Sequence, residues 1–144
     1  MKIYLDNCCF NRPFDDQTQI RIRLEAEAKL SIQNDIRNGN IQLVWSYILD
    51  YENNKNPFLE RRIQIAAWHV YAIENVVENK NVLNVARKLH ELVIHKMDAL
   101  HIACAIHAQA DYFLTTDDRL LKKAALIQDI RITDPIDFIK EVAS

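Results

Sequence analysis

Four acidic residues, Asp6, Glu52, Asp98 and Asp117, fall where a parallel α/β sheet would gather them at one end. Asp6 closes the strand-like run Ile3-Tyr4-Leu5, and Glu52 lies in a helix after Leu43-Val44-Trp45. Asp98 opens an apolar helix, and Asp117 follows Tyr112-Phe113-Leu114-Thr115. In open α/β sheets the ligand site lies outside the carboxyl ends of the strands. Carboxylates brought together there repel. Two unit charges about 4 Å apart cost roughly 4 kcal/mol at an effective dielectric of about 20. A divalent cation removes that cost and supplies hydrolytic chemistry. The pattern points to a metal-dependent nuclease.

Each acid also has a structural reading. Asp6 can cap a turn through Asn7 and Cys8. Asp98 is favoured at a helix start by the macrodipole, and Asp117-Asp118 after Thr115-Thr116 make a good helix cap. A cap and a metal ligand are compatible roles, and Asp117 is nearer the strand end than Asp118. Glu52 competes with Asp50. At 100° per residue Glu52 falls with Trp45, Ile48 and Leu49, while Asp50 lies roughly 160° away, toward solvent. Thr115 or Thr116 can hydrogen-bond a site carboxylate. His101 reads as a packed, hydrogen-bonded core histidine.

The elements that must position these acids alternate. Strands are expected at 2–5, 41–45, 112–115 and 129–132, with a polar loop at 7–17. Ile20, Leu24, Ala28, Ile32 and Ile36 recur every fourth residue, which predicts a helix over 18–37 stopped by Gly39. Further helices are expected at 46–54, 57–77, 81–94, 97–109, 118–126 and 135–142. Alternating strands and helices imply an α/β three-layer sandwich: a central parallel sheet of four or five strands with helices on both faces. The helices at 57–94 have no strand between them, so they should protrude as an αα-hairpin. Residues 1–144 read as one domain.

Composition excludes several alternatives. A single glycine leaves no glycine-rich nucleotide loop. Three cysteines, two adjacent and none in CxxC, argue against a disulfide framework and a zinc site. No apolar run approaches the roughly 18 residues of a membrane span, and no signal-peptide layout is present. A cytoplasmic location is expected. The net charge of −2 assigns any nucleic acid to a local basic rim. Arg12, Lys96, Arg119 and Lys122 are cations near the acids in sequence that could hold an RNA backbone.

Taken together, Tyr4-Leu5-Asp6-Asn7, Ser46-x-x-Leu49-x-x-Glu52, Asp98-Ala-Leu-His-Ile-Ala and Leu114-Thr-Thr-Asp117 resemble the PIN domain. The nearest branch looks like the VapC-type ribonuclease toxins. The resemblance runs along the whole chain. It implies a Rossmann-like sheet, a pocket in which Asp6, Glu52, Asp98 and Asp117 bind Mg²⁺ or Mn²⁺, and hydrolysis of RNA phosphodiesters. It also implies homodimers and a small antitoxin partner. The hydroxyl before the last acid maps to Thr116, with Asn7 and Asp118 as supporting neighbours. Asn7 stands where many members carry Thr or Ser. The alternative is a PIN-like module that binds RNA or protein without cutting.

Overall fold

The computed structural model describes residues 1–143. Strands β1 (Lys2–Leu5), β2 (Gln42–Ser46), β3 (Ala72–Val76), β4 (Tyr112–Leu114) and β5 (Arg131–Thr133) form one parallel sheet, ordered β3-β2-β1-β4-β5. Helices α1 (Asn7–Asn11), α2 (Ile20–Arg37), α3 (Tyr47–Asn54), α4 (Leu59–Ala67), α5 (Lys80–Glu91), α6 (Lys96–His107), α7 (Asp118–Lys122) and α8 (Pro135–Ala143) surround it. A strand covered on both faces has no polar side to show, which is why β1 reads as a continuous apolar run. Ile3, Tyr4 and Leu5 are fully buried, and the Tyr4 ring stacks on Phe113 of β4 at 5.3 Å.

The chain builds outward from β1 to β2 and β3, then returns to place β4 on the other side of β1. The order therefore reverses between β1 and β4. That switch point opens a crevice at the carboxyl end of the sheet. Register pairs Leu5 with Leu114, so the residues that follow, Asp6 and Thr115, leave the sheet side by side. The Asp6 amide donates to the Leu114 carbonyl at 2.9 Å, extending the ladder.

Helix ends follow local chemistry. Ser46 Oγ accepts from the Leu49 amide and caps α3. After α2 the chain turns at Gly39, φ 78°. The Gly39 amide donates to the Ile36 carbonyl, and the Asn40 amide donates to the Asp35 carbonyl. Those two bonds are the Schellman pairing, which needs the left-handed residue that glycine supplies.

Two expectations are corrected. Segment 57–94 is not a protruding αα-hairpin. Helix α4 stops at Ala67, a 3₁₀ turn covers Trp68–Tyr71, and β3 pairs in parallel with the outer edge of β2. Ladder bonds to that edge outweigh the helical pattern of 72–76, where Ile73 and Val76 already favour strand. Helix α5 then packs on α6. The loop at 7–17 is also more ordered than expected. It contains α1 and a 3₁₀ turn at Arg12–Phe14, and α1 buries Cys9 and Phe10. Among the described residues no helix is long and apolar enough to cross a membrane.

Candidate active site

Asp6 sits at the junction of β1 and α1, with an extended backbone (φ −62°, ψ 153°), and is almost fully buried. Its Oδ1 accepts from the Asn7 amide at 2.8 Å, so the capping role is real. Its Oδ2 accepts from the Thr115 hydroxyl at 2.8 Å and from the Cys8 thiol at 3.4 Å. The hydroxyl on the carboxylate is therefore that of Thr115. Thr116 contributes its backbone amide, which donates to Cys8 Sγ at 3.3 Å. Strand register decides between the two threonines, because Thr115 is the residue opposite Asp6 across the β1–β4 pair.

Glu52, two turns into α3, turns toward the same place. Its Oε1 accepts from His101 Nε2 in a very short contact. His101 is completely buried, and its Nε2 lies 3.8 Å from Asp6 Oδ1. Its Nδ1 meets the Tyr4 hydroxyl at 2.6 Å, which in turn meets Ser46 Oγ at 2.6 Å. With Nε2 donating to Glu52, Nδ1 accepts from Tyr4 in the neutral ring and donates to it in the charged ring. Burial opposes the charged ring, but the hydrogen bond to Glu52 and the charges of Asp6, Glu52 and Asp98 outweigh it and raise the His101 pKa. His101 is thus the packed, hydrogen-bonded histidine expected, and also a member of the acid cluster. Ligand atoms of Asp6, Glu52 and His101 all lie within 4.8 Å of one another. The i, i+3 spacing from Asp98 was the available signal, since it puts His101 on the same face of α6.

Asp98 and Asp117 complete the arrangement. Together with Glu52, Val93, His95 and Arg119 they line a cleft of about 520 Å³. Asp98 lies in the first turn of α6, and Asp117 caps α7 by accepting from the Arg119 amide at 2.9 Å. Burial, then the charges of Asp6 and Asp117, push the Asp98 pKa up to about 6. That coupling reports unbalanced negative charge in one place. Oxygen donors of this kind, dense in negative charge, suit a hard divalent ion such as Mg²⁺ or Mn²⁺.

Asp50 does not simply face solvent. Its Oδ1 accepts from the Trp45 indole at 2.9 Å. Asp118 is bound in bidentate fashion by Arg21 of α2, at 2.8 and 2.6 Å. Asn7 lines a second cleft on the other flank of Glu52, beside Asn11, Lys55 and Arg61. Of the four cations named from the sequence, Arg119 lines the acid cleft. Arg12 is held by Asp15 and the buried Glu25 at 3.1 and 3.0 Å. Lys96 borders a neighbouring groove with Tyr47 and Tyr51, and Lys122 is exposed. Lys123, which sequence reading passed over, lines the cleft and donates to the Val93 carbonyl.

No family model and no curated protein matches the chain. Solved structures do. A chain of VapBC2 from Rickettsia felis, bound to a DNA fragment from their promoter, superposes with a TM-score of 0.59 at 15% identity. The match covers 93% of this chain and 98% of that one. A chain of VapBC-1 from nontypeable Haemophilus influenzae gives a TM-score of 0.59 at 15% identity, over 94% and 98% of the two chains. Identity this low speaks to architecture alone, and in architecture the protein has a PIN-like fold, shared along its length with chains of VapBC complexes.

Proposed function

We propose that the protein is a divalent-metal-dependent endoribonuclease acting as a single domain, residues 1–144, and that it is the toxin of a toxin–antitoxin pair. The observation that carries this reading is that Glu52, Asp98 and Asp117 line one cleft, while Glu52 and Asp6 bring ligand atoms within 4.8 Å of one another. The VapBC neighbours support the toxin assignment and a small antitoxin partner. A homodimer and a cytoplasmic location belong to the same proposal.

In this reading Asp6, Asp98 and Asp117 hold Mg²⁺ or Mn²⁺, and Glu52 completes the set. The ion, when bound, supplies Lewis-acid activation of the phosphodiester and of the attacking water. Thr115 fixes the rotamer of Asp6, and His101 fixes that of Glu52. Both therefore pre-orient ligands, as hydrogen-bonded neighbours of metal ligands do. Arg119 and Lys123, at the cleft wall, are placed to hold the RNA backbone. Arg12, locked to Glu25, would buttress α1 and α2 instead.

The test is RNA cleavage by purified protein with Mn²⁺, with EDTA, and with Asp6→Asn and Asp98→Asn substitutions. Loss of cleavage in each of the last three, with folded variants by circular dichroism, is expected. Undiminished cleavage by either variant, free of contaminating nuclease, refutes the assignment. Metal binding and RNA retention without cleavage by the wild type would instead favour the binding-module alternative.

A further inference from the structure

A separate pocket, of about 200 Å³, shares no lining residue with the acid cleft. Its walls include Phe10, Phe14 and Trp68, and its polar groups include Lys29, Gln33 and Arg37. These three follow one another at i, i+4 and i+8 along one stripe of α2. Lys29 and Gln33 are each only 3% exposed. The Lys29 ammonium lies 5.1 Å from the Phe10 ring and 5.7 Å from the Trp68 ring, with neither a hydrogen bond nor an ion pair among the described residues. Gln33 Nε2 is buried without an acceptor. The Arg37 guanidinium lies 4.7 Å from the Trp68 ring. The acid on the same stripe, Glu25, is one turn earlier and is committed to Arg12 and Arg21.

We propose that this pocket binds a small oxyanion, a phosphate or carboxylate group, between Lys29, Gln33 and Arg37. A largely desolvated ammonium and a buried amide N–H with no acceptor are both unfavourable. Aromatic faces offset part of the ammonium's desolvation but accept no hydrogen bond from it. An oxyanion satisfies all three donors at once, and charge-assisted bonds of this kind are the strong ones. The pocket is smaller than the roughly 300 Å³ at which drug-sized ligand sites begin, which limits the occupant to an anionic group and little more. Burial first, opposed by Cys9 and reinforced by Arg37, brings the Lys29 pKa down to about 7. A bound anion would restore its charge.

The experiment is calorimetric titration of the full chain, metal-free in EDTA, with inorganic phosphate and separately with acetate. Chloride at matched ionic strength is the reference. One saturable site is expected. Arg37→Gln, at an exposed position, should weaken binding about tenfold, the value of one charge-assisted bond. Lys29→Met should abolish binding, and Asp98→Asn should leave it unchanged, separating this pocket from the acid cleft. Binding of both anions supports the shared chemistry. Phosphate alone identifies a phosphate-bearing ligand, and acetate alone a carboxylate-bearing one. Binding of neither anion, or binding that Arg37→Gln leaves intact, overturns the proposal.

Discussion

Asp98 carries the most testable electrostatics at the residue scale. Its folded pKa of about 6 lies above the ordinary 3.8, so the folded state holds this proton longer than the unfolded chain does. The contribution favours folding below about pH 3.8 and is lost as pH rises through about 6. At neutral pH and without metal, Asp98→Asn should therefore stabilise the protein. The gain should be about 1 kcal/mol, allowing for solvent screening of a part-exposed side chain. Thermal melts in EDTA check this, and a lower melting temperature would contradict it. Because a cation needs the carboxylate, Mn²⁺ affinity should rise about tenfold per pH unit below about pH 6 and level off above it. Calorimetry across that range reads the slope. Asp50 and Glu52 provide the second contrast at this scale. Glu52→Gln should cut cleavage about tenfold or more. Asp50→Ala should spare the rate but cost about 1–3 kcal/mol, because it strips the acceptor from the Trp45 indole. Asp50→Asn keeps an acceptor there and should change stability by less than about 0.5 kcal/mol. An inactive, stable Asp50→Asn would reverse the assignment.

At the scale of elements, the α2–β2 connection depends on backbone conformation more than on contacts. A Cβ placed on Gly39 would meet nothing within 4 Å, yet the residue sits at φ 78°. Gly39→Ala should therefore destabilise by about 1–2 kcal/mol through left-handed strain alone. Chemical denaturation measures it, and a neutral result would mean the turn relaxes freely. The same scale contains the largest gap between sequence and structure. Helical periodicity correctly located α2, α5 and α6, and apolar runs located β1, β2 and β4. Strand β3 was not legible, because Ala72–Val76 shows strand only once the free edge of β2 is there to pair with it.

For the whole molecule, β3 and its neighbours leave apolar groups in water. Phe58, Leu59, Ile63, Val70, Ile73 and Val77 are each more than half exposed. Exposed apolar surface of this kind marks interfaces, and a closed dimer is the commonest way a chain covers it. Light scattering at tens of micromolar should give twice the chain mass of 16.9 kDa. A strictly monomeric mass would place this surface against a different partner.

Composition and order along the chain determined the class of fold and proposed the acid set. A parallel sheet buries its strands on both faces, so its strands must be apolar runs, and its ligand site must follow their carboxyl ends. Those constraints are local, and they were enough to propose Asp6, Glu52, Asp98 and Asp117 as one set. What lies between neighbours is not local. Thr115 rather than Thr116 holds Asp6 because of strand register. His101 serves both core and cluster because Tyr4 and Glu52 reach it from β1 and α3. Arg12 left the basic rim because Glu25, buried on α2, requires a counter-ion. Lys29 is nearly buried because Phe10 and Trp68, from other elements, lie against it. In each case the deciding partner is distant in sequence or belongs to another element, and only tertiary packing sets which polar groups lose water together.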